Sequence, residues 1–408
     1  METLRKTFLT LLMMLLGIGT LMVYSASITA RPSDSEQIYL VRQLAFLFTA
    51  LTVGAVAASL PPRFWERAAP WLFLLSIGLL VAVVTPGIGT EVNGARRWLR
   101  YGGISLQPSE LAKITLTLLL ARLLGSRPPG RLPFWRCTVL PVLATGLTLA
   151  LVFREPDLGT TAFLAMIAGI VLFVGGWPLW RFAAAGIAAI PLAASVALLE
   201  PYQLERIRGF IATWTDFDTA PYQVRQSLTT LGVGGLSGVG LGSGWQKLSF
   251  LPEANTDFVF AVLGEELGLV GTLSVITLWL ALYGVGLKLL APLPRLSFQY
   301  LAGFTLLTQI LLQAALNVAV VTAMVPPKGI PHPLMSYGGS SLVISVTALA
   351  IVLALSREIP LPDDEVAPDA LPPDADNGQI ETALHTHQPC EDTPAPSNPP
   401  PREVACPV

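Results

Sequence analysis

The chain has 408 residues, of which 52% are hydrophobic and only 13% charged, with a formal net charge of −2. Soluble domains are charged at roughly a quarter of their positions, so so sparse a charge cannot clothe a soluble protein of this size. The near-neutral balance supplies no basic field and excludes nucleic acid as an expected partner.

Taken in chain order, uncharged runs predict about ten membrane spans, near residues 8–27, 39–59, 68–86, 108–124, 138–154, 159–177, 182–199, 257–287, 299–323 and 340–357. Most reach the roughly 20 residues that cross a bilayer at 1.5 Å per residue. The first, with Arg5 and Lys6 ahead of it and Ser25-Ala26-Ser27 behind, imitates a signal peptide. Its apolar run is long for one and further spans follow, so it reads as a retained helix. The fourth is the weakest, because Glu110 and Lys113 interrupt its start. The expected fold class is all-α and polytopic, with a large extracytoplasmic loop between spans seven and eight.

Arg5, Lys6, Arg63, Arg67, Arg127, Arg131, Arg136, Arg181, Lys288, Arg295 and Arg357 fall on one side, which places both termini in the cytoplasm. Arg96, Arg97 and Arg100 in one opposite loop, and Arg206, Arg208, Arg225 and Lys247 in another, suggest an anionic ligand there. Residues 1–358 are expected as the membrane domain. Residues 359–408, rich in Pro and acidic residues, bury too little apolar surface to fold and read as a disordered cytoplasmic tail. The three cysteines, Cys137, Cys390 and Cys406, suggest no disulfide framework. No internal repeat of the transporter kind is visible.

Chemistry concentrates outside the cytoplasm. The loop at 200–256 carries Tyr222-Gln-Val-Arg-Gln-Ser227, a glycine run including Gly238, Gly240, Gly242 and Gly244, then Gln246-Lys247. No strand precedes the glycines and no Lys-Ser/Thr closes them, so they form no nucleotide loop. Asp257 follows Thr256 at the start of an apolar run: Thr256 reads as a helix cap and Asp257 as an ionised carboxylate favoured by the dipole, able also to take a proton from a sugar hydroxyl. Glu110 and Lys113 can pair at i, i+3. Glu155 and Asp157 either cap the next helix or belong to the site. Of Glu265 and Glu266, at least one should face the interior and pair helices. Lys328 and His332 share the last loop. No cluster shows metal-ligand spacing, and no Ser-His-Asp or Cys-His set can be assembled.

Seven segments, in order, resemble the SEDS family (shape, elongation, division and sporulation): Asn93-Gly-Ala-Arg-Arg-Trp98, Gln107-Pro-Ser-Glu-Leu-Ala-Lys113, Glu155-Pro-Asp-Leu-Gly-Thr160, the Tyr222 segment, residues 251–260, Pro327-Lys-Gly329 and residues 336–341. Gln246-Lys247-Leu248 and Pro327-Lys328-Gly329 resemble the division branch more than the elongation branch. The resemblance implies a glycosyltransferase that polymerises lipid II on glycan linked to undecaprenyl pyrophosphate, with Asp257 matching the catalytic aspartate. It also implies substrate contacts from Lys328 and Ser340, a single-span class B penicillin-binding protein as transpeptidase partner, other division proteins, and a bacterial inner-membrane location. A Mg or Mn ion bridging the pyrophosphate fits family analogy and charge logic. Arg96, Arg97, Arg208 and Arg225, with Lys113 and Lys247 as point charges, are the expected pyrophosphate contacts; Glu110, Glu155, Asp157 and Glu266 are expected to support the site. Two departures are His332, where leucine is usual, and Ala323, where glycine is common. A lipid II carrier and a non-enzymatic division scaffold remain as rival readings of the same spans.

Overall fold

The computed structural model describes residues 1–27, 34–92, 95–101, 104–125, 133–188, 201–248 and 250–357. The expectations for the tail, for the end of the seventh span, for Asn93 and Gly94, and for Arg127 and Arg131 lie outside these residues. The described residues all fall within one compact unit, Met1–Glu358.

A helix stands at each expected span: α1 (Glu2–Ala26), α2 (Asp34–Ser59), α3 (Pro62–Val84), α4 (Pro108–Leu124), α5 (Leu140–Arg154), α6 (Leu158–Val174), α7 (Leu179–Ala188), α10 (Val259–Leu290), α11 (Phe298–Val321) and α12 (Gly339–Leu355). Among the described residues, six helices are both long and apolar enough to cross a membrane, α5 counted with the π-helical turn that leads into it. α6, α7 and α12 are apolar but shorter.

Local chemistry sets the boundaries. Proline opens α3 and α4, where its missing N–H would have no intrahelical partner. Asp157 caps α6 by accepting from the Thr160 N–H at 3.0 Å, and Ser297 caps α11 by accepting from Tyr300 at 3.1 Å.

The bundle inverts a soluble protein. Large apolar side chains such as Phe48, Trp71, Leu143 and Val270 face outward, whereas Glu110, Lys113, Glu155, Lys247, Glu265 and Glu266 are buried. Lipid accepts the first set, and the second must find partners within the protein.

Hydrogen bonds gather the helix ends into two faces. At one, Arg5 reaches the Ser356 carbonyl, Arg357 that of Ser59, and Arg122 those of Glu66 and Arg67. The other holds the connections α3–α4, α5–α6 and α11–α12 and the segment that leads into α10.

Two features elaborate the outer connections of the expected outline. The α3–α4 connection folds into a three-stranded antiparallel sheet, β1 (Thr90–Val92), β2 (Ala95–Tyr101) and β3 (Ile104–Leu106), with Thr90 opposite Trp98 and Leu99 opposite Leu106. The long loop before α10 contains α8 (Pro201–Thr215) and α9 (Tyr222–Gly234), the latter packed on α10.

α10 breaks at Gly268, whose φ of 66° and ψ of −163° are not helical. The Leu269 and Val270 N–H groups that the break frees donate instead to the Gly235 and Leu236 carbonyls at 2.9 and 3.2 Å.

Candidate active site

Asp257 stands just ahead of α10, half-buried. The helix begins at Val259 with Phe258 at its cap and no side-chain cap, so the expected Thr256 cap is not formed. Thr256 instead donates to the Glu253 carboxylate at 2.8 Å, and the Phe258 N–H closes the turn on the Glu253 carbonyl at 3.2 Å. The expectation of a plainly ionised Asp257 is corrected as well. Desolvation by the surrounding protein pushes its carboxyl up to about 7, and the nearby carboxylates of Glu253 and Asp157 push the same way.

The strap between α11 and α12 is stitched to this segment. The Ser336 hydroxyl donates to the Thr256 carbonyl and accepts from the His332 N–H, while the Tyr337 N–H donates to the Asn255 carbonyl at 2.8 Å. From α11, the Asn317 amide donates to the carbonyls of Asp257 and Ile330 at 2.8 and 2.9 Å. Gly329 lies directly against the Asp257 carboxylate.

Lys328 continues toward α6, its stem and the Asp157 carboxylate meeting over Gly159. Arg97 holds the same turn from the sheet. It donates to the Glu155 and Pro156 carbonyls at 3.2 and 2.7 Å and lies 3.7 Å from the Asp157 carboxylate. Of the two expected caps, only Asp157 serves. The Glu155 carboxyl is buried with neither oxygen bonded among the described residues. Burial chiefly, then Asp157, against the opposing pull of Arg97, push it up to about 8.

Gly329 also walls a small cavity of about 30 Å³ lined by Gln107, Glu110, Lys113, Thr160 and Phe163 among others. Inside it Lys113 bonds Glu110 at 2.8 Å and Gln313 at 2.9 Å and lies over the Phe163 ring. The charge expected for pyrophosphate is therefore already matched by a buried partner.

The structure thus brings together Asp257, Lys328, Asp157, Arg97, Glu155, Glu110 and Lys113. It keeps others apart. Lys247, expected as a substrate contact, is buried in an ion pair with Glu266 at 2.6 Å and donates further to the Ser25 hydroxyl and the Gly242 carbonyl. All three ammonium protons are engaged, so Lys247 ties the glycine-rich loop and α1 to α10. Glu265 accepts from the Trp245 and Gln246 N–H groups, so both glutamates face the interior. Arg96 is exposed beside Glu91, Arg208 is exposed on α8, and Arg225 donates to the Asp218 carbonyl. The Ser340 hydroxyl is buried with no bonded partner among the described residues.

His332 serves as packing, with its Nε2 buried and unbonded among the described residues. Its ring stacks parallel to Phe260 at 6.0 Å and packs on Trp279. Burial pulls it down to about 4, so the ring is neutral, with Nδ1 donating to the Pro333 carbonyl.

Sequence reasoning missed Gln309, Gln313 and Asn317. The available signal was three carboxamides four residues apart in an apolar span, where polar groups need partners.

Among the described residues, no three His, Cys, Asp or Glu side chains are grouped to hold a metal ion.

Residues 5–360 match the FTSW_RODA_SPOVE family model, described as "Cell cycle protein". The probable peptidoglycan glycosyltransferase FtsW of Hahella chejuensis is 38% identical over 348 residues, covering 84% of this chain and 88% of the relative. That of Aromatoleum aromaticum is 40% identical over 354 residues, covering 85% and 86%. A chain from a peptidoglycan synthase complex that coordinates polymerization and crosslinking superposes with a TM-score of 0.69 at 28% identity, over 86% of this chain and 96% of that one. The rod shape determining protein RodA of Thermus thermophilus does so with a TM-score of 0.62 at 29% identity, over 86% and 95%.

Proposed function

The chain belongs to the FtsW/RodA/SpoVE family of cell cycle proteins, and from that premise we propose that it is a peptidoglycan glycosyltransferase of cell division that polymerises lipid II with Asp257 as general base. The observation that carries the residue assignment is Asp257 itself. It is a largely buried carboxylate, stitched through its main chain to α11 and poised near neutral pH. A base works best when its pKa lies near the operating pH, and such help is worth roughly 10²–10⁴-fold.

In the reaction, the GlcNAc 4-hydroxyl of lipid II attacks the anomeric carbon of the donor MurNAc. The new C–O bond forms as the bond to undecaprenyl pyrophosphate breaks, and the leaving group departs with the electron pair. Asp257 takes the hydroxyl proton. A single displacement converts the α linkage to β, so no covalent intermediate is required. Neutral Asp257 suits its desolvated surroundings until it returns the proton to solvent. Lys328 and Arg97 are the cations beside this carboxylate cluster that offer donors to the pyrophosphate.

The face bearing Asp257 is assigned to the outside of a bacterial inner membrane and both termini to the cytoplasm, since the short loops at the opposite face carry Arg63, Arg67, Arg136, Arg181, Lys288 and Arg295. A single-span class B penicillin-binding protein is the proposed transpeptidase partner. The test is strand formation from purified lipid II by the reconstituted chain with that partner, comparing wild type with Asp257→Asn. Strands from wild type and none from an equally folded variant support the reading. Normal output from Asp257→Asn removes Asp257 from the chemistry, and lipid II translocation without strands favours a carrier.

A further inference from the structure

Gln309, Gln313 and Asn317 occupy one face of α11 at four-residue spacing, and all three are buried. Each engages a different neighbour. Gln309 accepts from the Thr117 hydroxyl of α4 at 3.4 Å. Gln313 accepts from Lys113 of α4 at 2.9 Å and donates to the Pro331 carbonyl at 3.1 Å. Asn317 donates from one nitrogen to the carbonyls of Asp257 and Ile330. Both partners of that nitrogen are acceptors, so the amide orientation follows: only its NH₂ end can serve them.

The two carbonyls belong to irregular segments rather than to a helix or strand ladder. Asp257 lies within the turn at 253–258, and Ile330 follows Gly329, the residue set against the Asp257 carboxylate. Asn317 therefore grips the base by its own main chain and, in the same fork, the strand of strap that walls its side chain. The helix behind it is anchored one turn further along by Gln313. In a buried position these bonds have no water to replace them, and their loss frees two carbonyls at once.

We infer that Asn317 is a positioning residue for the glycosyl transfer, setting where the Asp257 carboxylate stands relative to the acceptor hydroxyl, with Gln313 fixing the strap beside it. The inference rests on the polymerase reading above. Asn317 touches no reacting atom, and its effect is exerted through the backbone of residue 257.

The experiment measures strand formation from purified lipid II across a range of concentration and pH. It uses the reconstituted full chain and its transpeptidase partner as wild type, Asn317→Ala, Asn317→Asp and Asp257→Asn. Thermal unfolding reports the folded fraction of each. The expected result is a fall in kcat of at least about tenfold for both Asn317 variants, with KM for lipid II within about twofold of wild type. The acid limb of the Asn317→Ala profile should also move to lower pH, because a loosened carboxylate gains water. Asn317→Asp keeps the shape and loses the paired donors, so it should share the defect if Asn317→Ala folds poorly. If Asp257→Asn is inactive while both Asn317 variants keep the wild-type kcat and acid limb, this inference alone is overturned. It is equally overturned by a loss of rate that only follows the folded fraction and leaves the acid limb in place. If Asp257→Asn polymerises normally, the base assignment fails first.

Discussion

Gly329 offers a way to displace the base without altering any group that reacts. A Cβ added there would stand 3.1 Å from the Asp257 Oδ2 and 3.9 Å from its Cγ. Ordinary contact begins near 3.4 Å, so Gly329→Ala requires the carboxylate to yield by about 0.3 Å. The backbone accepts alanine, because Gly329 is not among the glycines with positive φ. A misplacement of 1 Å costs about 10²-fold in rate, and scaling the exponent linearly gives about a fourfold loss for 0.3 Å. Initial rates of strand formation from purified lipid II, normalised to folded protein, measure it. Gly329→Val should lose more, since its branches reach further toward Oδ2. Wild-type rates from both variants would mean that the carboxylate position described here is not the productive one. Complete loss from the alanine variant in folded protein would mean that the methyl obstructs substrate rather than moving the base.

The pH dependence follows from the environment of Asp257. Its carboxyl is raised to about 7 and the ionised form is the active one, so polymerisation should fall about tenfold per unit as pH drops below that value. An unperturbed aspartate would hold full rate to about pH 4, and a limb found there would refute the burial argument. Ala323, buried with a φ of 56°, sits in the left-handed region, which costs a side-chain-bearing residue about 1–2 kcal/mol. Ala323→Gly, after loss of the buried methyl, should gain about 0.5–1 kcal/mol, seen as a melting temperature roughly 1–3 °C higher. Removing one member of the Lys247–Glu266 pair should destabilise the protein by about 3–5 kcal/mol, with much of the loss recovered when both become apolar. A Lys247→Met variant that melts normally but shows a raised KM for lipid II would return Lys247 to the substrate.

The helices were legible because a membrane span needs only length and apolarity, and the boundaries carry their own punctuation. Pro108 and Gly125 bracket α4, and Asp157 announces α6. The part played by each charge was less legible, because pairing is a property of the assembled bundle. Lys247 sits in a glycine-rich loop that suggests exposure, yet its hydroxyl partner Ser25 is 222 positions away. Asp257 could be located through the family motif, but its raised pKa could not, since that depends first on burial by the assembled protein and then on Glu253 and Asp157 converging. His332 was ambiguous for the same reason: only the rings of Phe260 and Trp279 decide whether a histidine behaves as a base or as packing. The strands that flank β2 are three residues long, too short for alternation to signal, and Ala95–Tyr101 itself carries no strict alternation.

The break at Gly268 bears on how such an enzyme tolerates different bilayers. Residues 269–290 amount to roughly 33 Å of helix at 1.5 Å per residue, close to a hydrocarbon thickness of about 30 Å. Residues 259–267, with Asp257 ahead of them, lie beyond the break, where the Gly235 and Leu236 carbonyls hold the first two N–H groups of the lower segment. Helices adjust to thicker or thinner membranes by tilting. Because the first two N–H groups of the spanning segment are held by residues 235 and 236, its tilt pivots about that fastened first turn rather than about the segment that carries Asp257.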